Sequence, residues 1–246
     1  MYQTVFRRYE LKYLLTSEQK SRVLAAISPH MIPDKYGRTT IRNIYFDTED
    51  YRLIRRSMEK PAYKEKLRIR SYAQATADST VFVELKKKYD GVVYKRRLAL
   101  PEREAMAWVC RESVPFVTTQ ISREIDYFLD FYGALRPTVF LSYEREAYYG
   151  REDGGFRVTF DDRILCRMRD LCLTLPVYGD PILPRGLSLM EIKCAGGMPL
   201  WMARVLSEER IYKTSFSKYG TAYCERIFPQ IYLPTASKEQ ECVINE

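Results

Sequence analysis

Between Tyr63 and Leu100 the chain alternates apolar and charged residues with a period of two. In YKEKLRIRSY the cations Lys64, Lys66, Arg68 and Arg70 take every second position. In VFVELKKKYDGVVYKRRLAL the same spacing selects Glu84, Lys86 and Lys88, then Lys95 and Arg97. A period of two places each set on one side of a β-strand. The alternate residues Leu67, Ile69, Val83 and Leu85 supply an apolar side, and Asp90-Gly91 is a strong hairpin turn signal between the two later runs. The pattern predicts a sheet that packs through one face and carries dense positive charge on the other.

The same alternation recurs along the chain. VFRRYELKYLL sets Arg8, Glu10 and Lys12 against Tyr9, Leu11 and Tyr13, and RTTIRNIYFDT is a β-rich run ending in Asp47. RPTVFLSYEREAYYG, FRVTFDDRILCRM and SLMEIKCA continue it, with Tyr143 and Arg145, Arg157, Thr159 and Asp161, then Glu191 and Lys193 on the charged side. Helices are predicted at four further places. One runs over 18–27 behind the Thr16-Ser17 cap; the others are the short YRLIRRSM, a pair beginning at Pro101 and Thr118-Thr119, and two late ones beginning at Pro199 and at Ser215 or Ser217. Met106, Val109, Ile125, Phe128 and Leu129 are the expected buried positions of the central pair. Asp47 reads as a cap or an arginine partner, Asp161-Asp162 as a turn, and Arg55-Arg56 and Lys87-Lys88 as outward charge. One domain over 1–228 and a polar tail over 229–246 account for the whole chain.

Charged strand faces are ordinarily solvated. Here at least six strands share the pattern, and closing such a sheet converges its charged faces on one lumen. The expected fold class is therefore α+β, an antiparallel β-barrel tunnel with flanking helices. Lys and Arg total 40 against 32 Asp and Glu, a net charge of +8, which calls for an anionic partner. Uncompensated buried cations cost several kcal/mol each, on the order of the penalty for any desolvated ion, so the lumen must hold water and an anion. A linear oligophosphate fits, with Arg forks and Lys ammonium groups around it. Glu10, Glu84 and Glu191 either pair with these cations or hold Mg²⁺ or Mn²⁺.

Other chemistries are excluded by what is missing. The single histidine, His30, follows Pro29 at a helix end and reads as a loop residue, so no Ser/His/Asp or Cys/His set can be assembled. Neither a Walker-type phosphate loop nor a dinucleotide fingerprint occurs. The six cysteines have no C-x-x-C pair and read as thiols of a reducing cytoplasm; no signal peptide or membrane-spanning run is present.

Taken in order, R-Y-E-L-K at Arg8 to Lys12, IYFDT at Ile44 to Thr48, KLRIRSY at Lys66 to Tyr72, VELKKK at Val83 to Lys88, LMEIK at Leu189 to Lys193 and FSKYG at Phe216 to Gly220 resemble the VTC domain. That domain is the polyphosphate polymerase module of the vacuolar transporter chaperone complex, within the triphosphate tunnel (CYTH-like) superfamily. The resemblance spans about residues 4–228. The superfamily opens on E-x-E-x-K, and Arg8 replaces its first glutamate, which counts against a plain triphosphatase. The chain reads as a stand-alone, bacterial-type version.

The resemblance implies transfer of the ATP γ-phosphoryl group to a growing inorganic polyphosphate chain, with Mn²⁺ or Mg²⁺ as cofactor. It implies Lys12, Arg68, Arg70, Lys86, Arg145 and Arg157 as catalytic cations, and Glu10, Lys66, Lys95, Arg97, Lys193, Ser217 and Lys218 as substrate-binding residues. Glu191 is the implied metal carboxylate. ATP and polyphosphate are the expected partners, with no specific nucleic acid; any membrane contact would need a membrane-protein partner or a basic surface. A triphosphatase in the same tunnel and a non-catalytic polyanion-binding module are the competing readings.

Overall fold

The computed structural model describes residues 9–90, 92–114 and 118–232. Arg8, Gly91 and the segment from 233 onwards, which includes most of the expected tail, lie outside the described residues. In chain order the elements are β1 (Tyr9–Thr16), α1 (Ser17–Ile27), β2 (Met31–Pro33), β3 (Thr39–Asp47), α2 (Arg52–Met58), β4 (Tyr63–Ser71), β5 (Thr80–Tyr89) and β6 (Val92–Pro101). Then follow α3 (Glu102–Val109), α4 (Gln120–Tyr132), β7 (Arg136–Gly150), β8 (Arg157–Arg167), β9 (Asp180–Pro181), β10 (Leu187–Cys194), α5 (Leu200–Glu208), β11 (Lys213–Thr214), α6 (Lys218–Ala222), a π-helical turn (Tyr223–Ile227) and α7 (Phe228–Tyr232). Helical structure thus continues past residue 229, where the tail was expected to begin.

All strand pairings among the described residues are antiparallel, and they form one sheet in the order β11-β1-β10-β8-β7-β3-β4-β5-β6, with β2 on β7 and β9 on β8. The expected barrel is not closed by backbone bonds: β11 and β6 are the ends of the ladder. Its two halves meet instead through side chains, such as Lys86 of β5 and Glu10 of β1 at 2.7 Å.

Alternation then decides what is inside. Leu67, Ile69, Val83 and Leu85 point outward and bury fully under α3 and α4 with Trp108, Val109, Ile125 and Phe128. Tyr13, Leu15, Val158, Phe160, Met190 and Ile192 do the same under α1 and α5. A third cluster joins Tyr45, Leu141, Tyr143 and Leu189 to Ile54 of α2 and to Tyr219, Ala222 and Tyr223. Two helix starts follow their sequence signals: Thr16 and Thr119 each complete a capping box, with Gln19 and Ser122 respectively.

Two local expectations change, and a third is narrowed to one of its alternatives. Asp161-Asp162 is not a turn; both residues lie inside β8. The irregularity falls one residue later, where Arg163, at φ 47°, and Ile164 fill the shift in register against β7. This bulge reverses the alternation, so Asp161 lies on the inner side before it and Ile164 joins Tyr143 and Leu141 after it. Lys87 and Lys88 are not both outward. Lys88 shares the parity of Lys86 and pairs across the ladder with Lys64, whereas Lys87 lies 3.6 Å from Glu65 on the opposite side. Asp47 caps rather than pairing with an arginine: fully buried, it accepts from the amides of Thr48, Leu53 and Ile54 and from the Tyr219 hydroxyl at 2.8 Å.

Asp47 therefore ties α2 to the segment that carries Lys218. Asp47→Ala would strand buried donors on both, and we expect a loss of about 2–3 kcal/mol in urea unfolding. Tyr219→Phe should cost about 1 kcal/mol, the scale of one hydrogen bond. Equal stability of Asp47→Ala and the parent would show that the cap is dispensable.

Candidate active site

The inner face of the sheet gathers every cation expected there and organises them around carboxylates. On the β4–β6 wall Glu84, 1% exposed, is the hub. Arg68 reaches it at 2.7–2.8 Å, Lys95 at 2.8 Å, and Arg97 through its Nε at 2.7 Å; Arg70 stands 3.8 Å away. These side chains follow directly from register, since Arg68, Glu84 and Arg97 occupy one row across three strands. Outer partners fix the forks: Arg68 donates to Tyr45 Oη, and Arg70 donates to Asn43 Oδ1 and Tyr143 Oη.

The opposite wall is built on Asp161 and Glu191. Asp161, fully buried, accepts both arms of Arg145 at 2.6 and 2.7 Å and Lys218 Nζ at 2.6 Å. Glu191 lies 3.1 Å from Lys193 and 3.8 Å from each of Lys12, Arg145 and Lys218. Lys12 also donates to the Phe216 carbonyl at 2.7 Å. Ser217 caps α6 through the Gly220 amide and receives Lys66 Nζ at 3.2 Å. Arg157 stacks over Tyr149 and faces Asp34 at 3.5 Å. All fourteen side chains expected at the site therefore lie on the inner face or on the α6 segment facing it.

Asp161 is the chief residue the sequence reading missed. Its parity with Arg157 and Thr159 was visible, but the doubled aspartate resembled a turn. Glu84 stood out as an inner carboxylate without an assigned role, and Asn43, Tyr45 and Tyr143 had no signal beyond ordinary strand alternation.

The electrostatics separate two kinds of cation. Burial opposes ionisation of Glu84, yet Arg70, Arg68, Lys95 and Arg97 outweigh it and hold the carboxyl well below the usual range. Glu191 is likewise depressed against burial by Lys193, Lys218, Lys12 and Arg145, and Asp161 by Arg145 and Lys218. Glu10 falls to about 2, burial again being overcome by Lys86 and Lys193. Three lysines also move down, which for them favours the neutral form. Burial, reinforced by Lys12, Lys86, Lys64 and Arg68, pulls Lys66 down to about 7. Lys12 and Lys193 fall to about 8 through burial, in spite of Glu191.

Among the described residues no cluster of three or more His, Cys, Asp or Glu side chains is spaced to hold a metal. Glu191 has cations on several sides. The donor set offers no cage; it fits a small hard cation that arrives on phosphate oxygens and takes one protein carboxylate.

The VTC domain profile matches residues 7–226. The chain belongs to the VTC domain family. No curated protein matches it. Among solved structures, a candidate adenylate cyclase from Bacillus halodurans is similar over 87% of this chain and 96% of its own, at 17% identity and a TM-score of 0.55. A candidate adenylyl cyclase from Hippeastrum, described as having a dominant triphosphatase activity, is similar over 87% and 93%, at 18% identity and a TM-score of 0.52. At these identities the likeness establishes the triphosphate tunnel fold for this VTC domain. Among its described residues no helix is long and apolar enough to cross a membrane.

The depressed lysines set a pH dependence. With Lys66 at about 7 and Lys12 and Lys193 at about 8, a bound polyanion would restore their protons. Tripolyphosphate affinity should fall between pH 7 and 9, and binding at pH 8 should take up protons, read by calorimetry in buffers of different ionisation enthalpy. Because the unfolded lysines keep their ordinary higher values, their contribution to the stability of the protein without added polyanion should rise with pH above about 7. Binding with no net proton uptake would remove these lysines from the ligand's field.

Proposed function

We propose that this VTC domain is a polyphosphate polymerase, which transfers the γ-phosphoryl group of ATP to the terminal phosphate of an inorganic polyphosphate chain in the lumen. The observation that carries this reading is the state of the carboxylates. Glu10, Glu84, Asp161 and Glu191 are all paired with cations and held below the ordinary carboxylate range. Ion-paired in this way they are weak bases toward water, which favours an acceptor that is already an oxyanion. A terminal phosphate oxyanion needs no such base, and His30, exposed and stacked on Trp201, lies outside the cationic cluster.

In the transfer, a terminal phosphate oxygen of the chain forms a bond to the γ-phosphorus while the bond from that phosphorus to the β–γ bridging oxygen breaks. ADP departs with the electron pair, and no proton has to move. Arg68 and Arg70, their forks held by Glu84, Tyr45, Asn43 and Tyr143, offer donors in fixed directions to the equatorial oxygens. Arg145 and Lys218 are oriented from the other wall by Asp161. Lys66, Lys12 and Lys86 bring the mobile positive charge that aligns two polyanions which would otherwise repel. Glu191, with Glu10 nearby, would hold a divalent cation, which supplies Lewis-acid neutralisation of the phosphate oxygens.

Purified protein incubated with ATP and Mn²⁺ or Mg²⁺ should yield ADP and long-chain polyphosphate with little free phosphate. ADP with equimolar phosphate would instead establish a hydrolase, and tight polyphosphate binding without turnover a binding module. Lys66→Ala should slow turnover by about 10²–10³-fold, the usual effect of removing one charge-stabilising donor. Glu191→Gln should abolish the response to metal.

A further inference from the structure

The helices leave part of the outer face of β4, β5 and β6 open. Leu67, Ile69, Val83 and Leu85 lie buried in the cluster under α3 and α4. Beyond them on the same face come two further cross-strand rows, Glu65–Lys87–Tyr94 and Tyr63–Tyr89–Val92, while Arg96 stands opposite Leu85. The parity of these residues is opposite to that of Lys64, Lys66, Lys86 and Lys88, so the surface they form lies outside the lumen. Tyr63, Lys87, Tyr89, Tyr94 and Arg96, with Glu124 of α4, line an open cavity of about 300 Å³. Tyr89 is 58% exposed and Tyr94 39%, on a face whose apolar residues are otherwise buried.

Three rings thus border one space with their faces unused. Tyr72, Tyr149 and Tyr178 each meet a guanidinium, of Arg97, Arg157 and Arg167 respectively. Among the described residues no ring or cation stacks on Tyr63, Tyr89 or Tyr94. Open tyrosine faces are suited to a flat heterocycle. The charges beside them are few and only partly engaged. Lys87 stands 3.6 Å from Glu65, a carboxylate that already accepts from the Tyr63 and Tyr132 hydroxyls. Arg96 donates its Nε to Glu124 at 2.8 Å, and its buried Nη1 has no partner. The lining therefore carries two cations against the single carboxylate of Glu124, a balance that suits one phosphate group and not a long polyanion.

We propose that this groove is a second ligand site, separate from the lumen, for a nucleoside monophosphate: the base lies against Tyr89 and Tyr94, and the phosphate pairs with Lys87 in the field of Arg96. A cavity of this size falls at the lower end of the range for small-ligand sites, which suits one nucleoside and its phosphate. The site shares its backbone with the lumen. Lys87 is flanked in β5 by Lys86 and Lys88, and Glu65 in β4 by Lys64 and Lys66, on the opposite side of the same strands. The proposal stands on the outer face alone and does not depend on the polymerase reading.

The test is equilibrium dialysis of the full chain against labelled AMP, with tripolyphosphate added at saturation to occupy the lumen. AMP should bind at one site per chain and should not be displaced by tripolyphosphate. Adenosine, which lacks the phosphate, and ribose 5-phosphate, which lacks the base, should each bind at least about tenfold more weakly, the scale of one base stacked on an aromatic side chain. Tyr89→Leu/Tyr94→Leu should lose about tenfold in AMP affinity by the same measure and keep the parent's affinity for tripolyphosphate, which shows that the variant is folded. Lys87→Gln is the second arm: it should weaken AMP several-fold and leave adenosine unchanged. Absence of saturable AMP binding would overturn the proposal. So would release of AMP by tripolyphosphate, which would place it in the lumen, or ribose 5-phosphate binding as tightly as AMP, which would reduce the groove to an anion patch. Parent-like AMP affinity in both variants would likewise remove the groove as the site. A chain that binds AMP in this way but makes no polymer would end the polymerase reading and leave the groove assignment standing.

Discussion

The structure depends on keeping many cations together on one inner surface. Their mutual repulsion is offset chiefly at Glu84 on the β4–β6 wall and at the Asp161–Glu191 pair on the opposite wall, with Glu10 beside Lys86 joining the two. Neither hub makes a pair of simple partners. Each carboxylate is shared by several cations, so the surface retains positive charge while its members are held in fixed positions. Leaving one charge unpartnered in such a place would cost several kcal/mol, on the order found when one member of a buried ion pair is removed. The carboxylates are therefore as much a part of the anion-binding surface as the arginines they orient.

Two kinds of positive charge result. The arginines stay charged at any ordinary pH and present forks whose directions are set by Tyr45, Asn43, Tyr143 and the carboxylates. Three of the lysines are held less tightly. Burial brings Lys66, Lys12 and Lys193 close to the range in which they lose their protons. In the proposed function, a bound polyanion would draw out their full charge. The arginines thus contribute geometry, and the lysines contribute charge that grows when a polyanion is present.

The outer packing is what allows this surface to exist. Two apolar clusters under α3–α4 and α1–α5 bury the outward residues of the strands, so the sheet gains its stability on the face away from the charges. The third cluster brings α2 and α6 against the inner positions Tyr45 and Tyr143, and Asp47 fastens the two helices to each other. Lys218 and Ser217 reach the cations only because this cluster seats α6. An alteration at Asp47, which makes no contact with the lumen cations but holds the Tyr219 hydroxyl, would therefore be felt at Asp161.

The sequence by itself determined the strands, the two faces of each strand and the sign of the inner one, because side-chain direction in a strand is set locally by a period of two. It also determined which cations line the tunnel, from Lys12 to Lys193, since parity alone assigns them. Tertiary structure decided the rest. The partnerships of Glu84 and Asp161 arise from register between strands far apart in the chain, and no local pattern encodes register. The bulge at Arg163 reversed the parity of β8 at a point where the doubled aspartates suggested a turn. The lack of a backbone-bonded closure between β6 and β11 depends on how strands stack across the sheet. Long-range contacts of that kind carry the chemistry of the site, and they are set by packing and electrostatics over the whole fold.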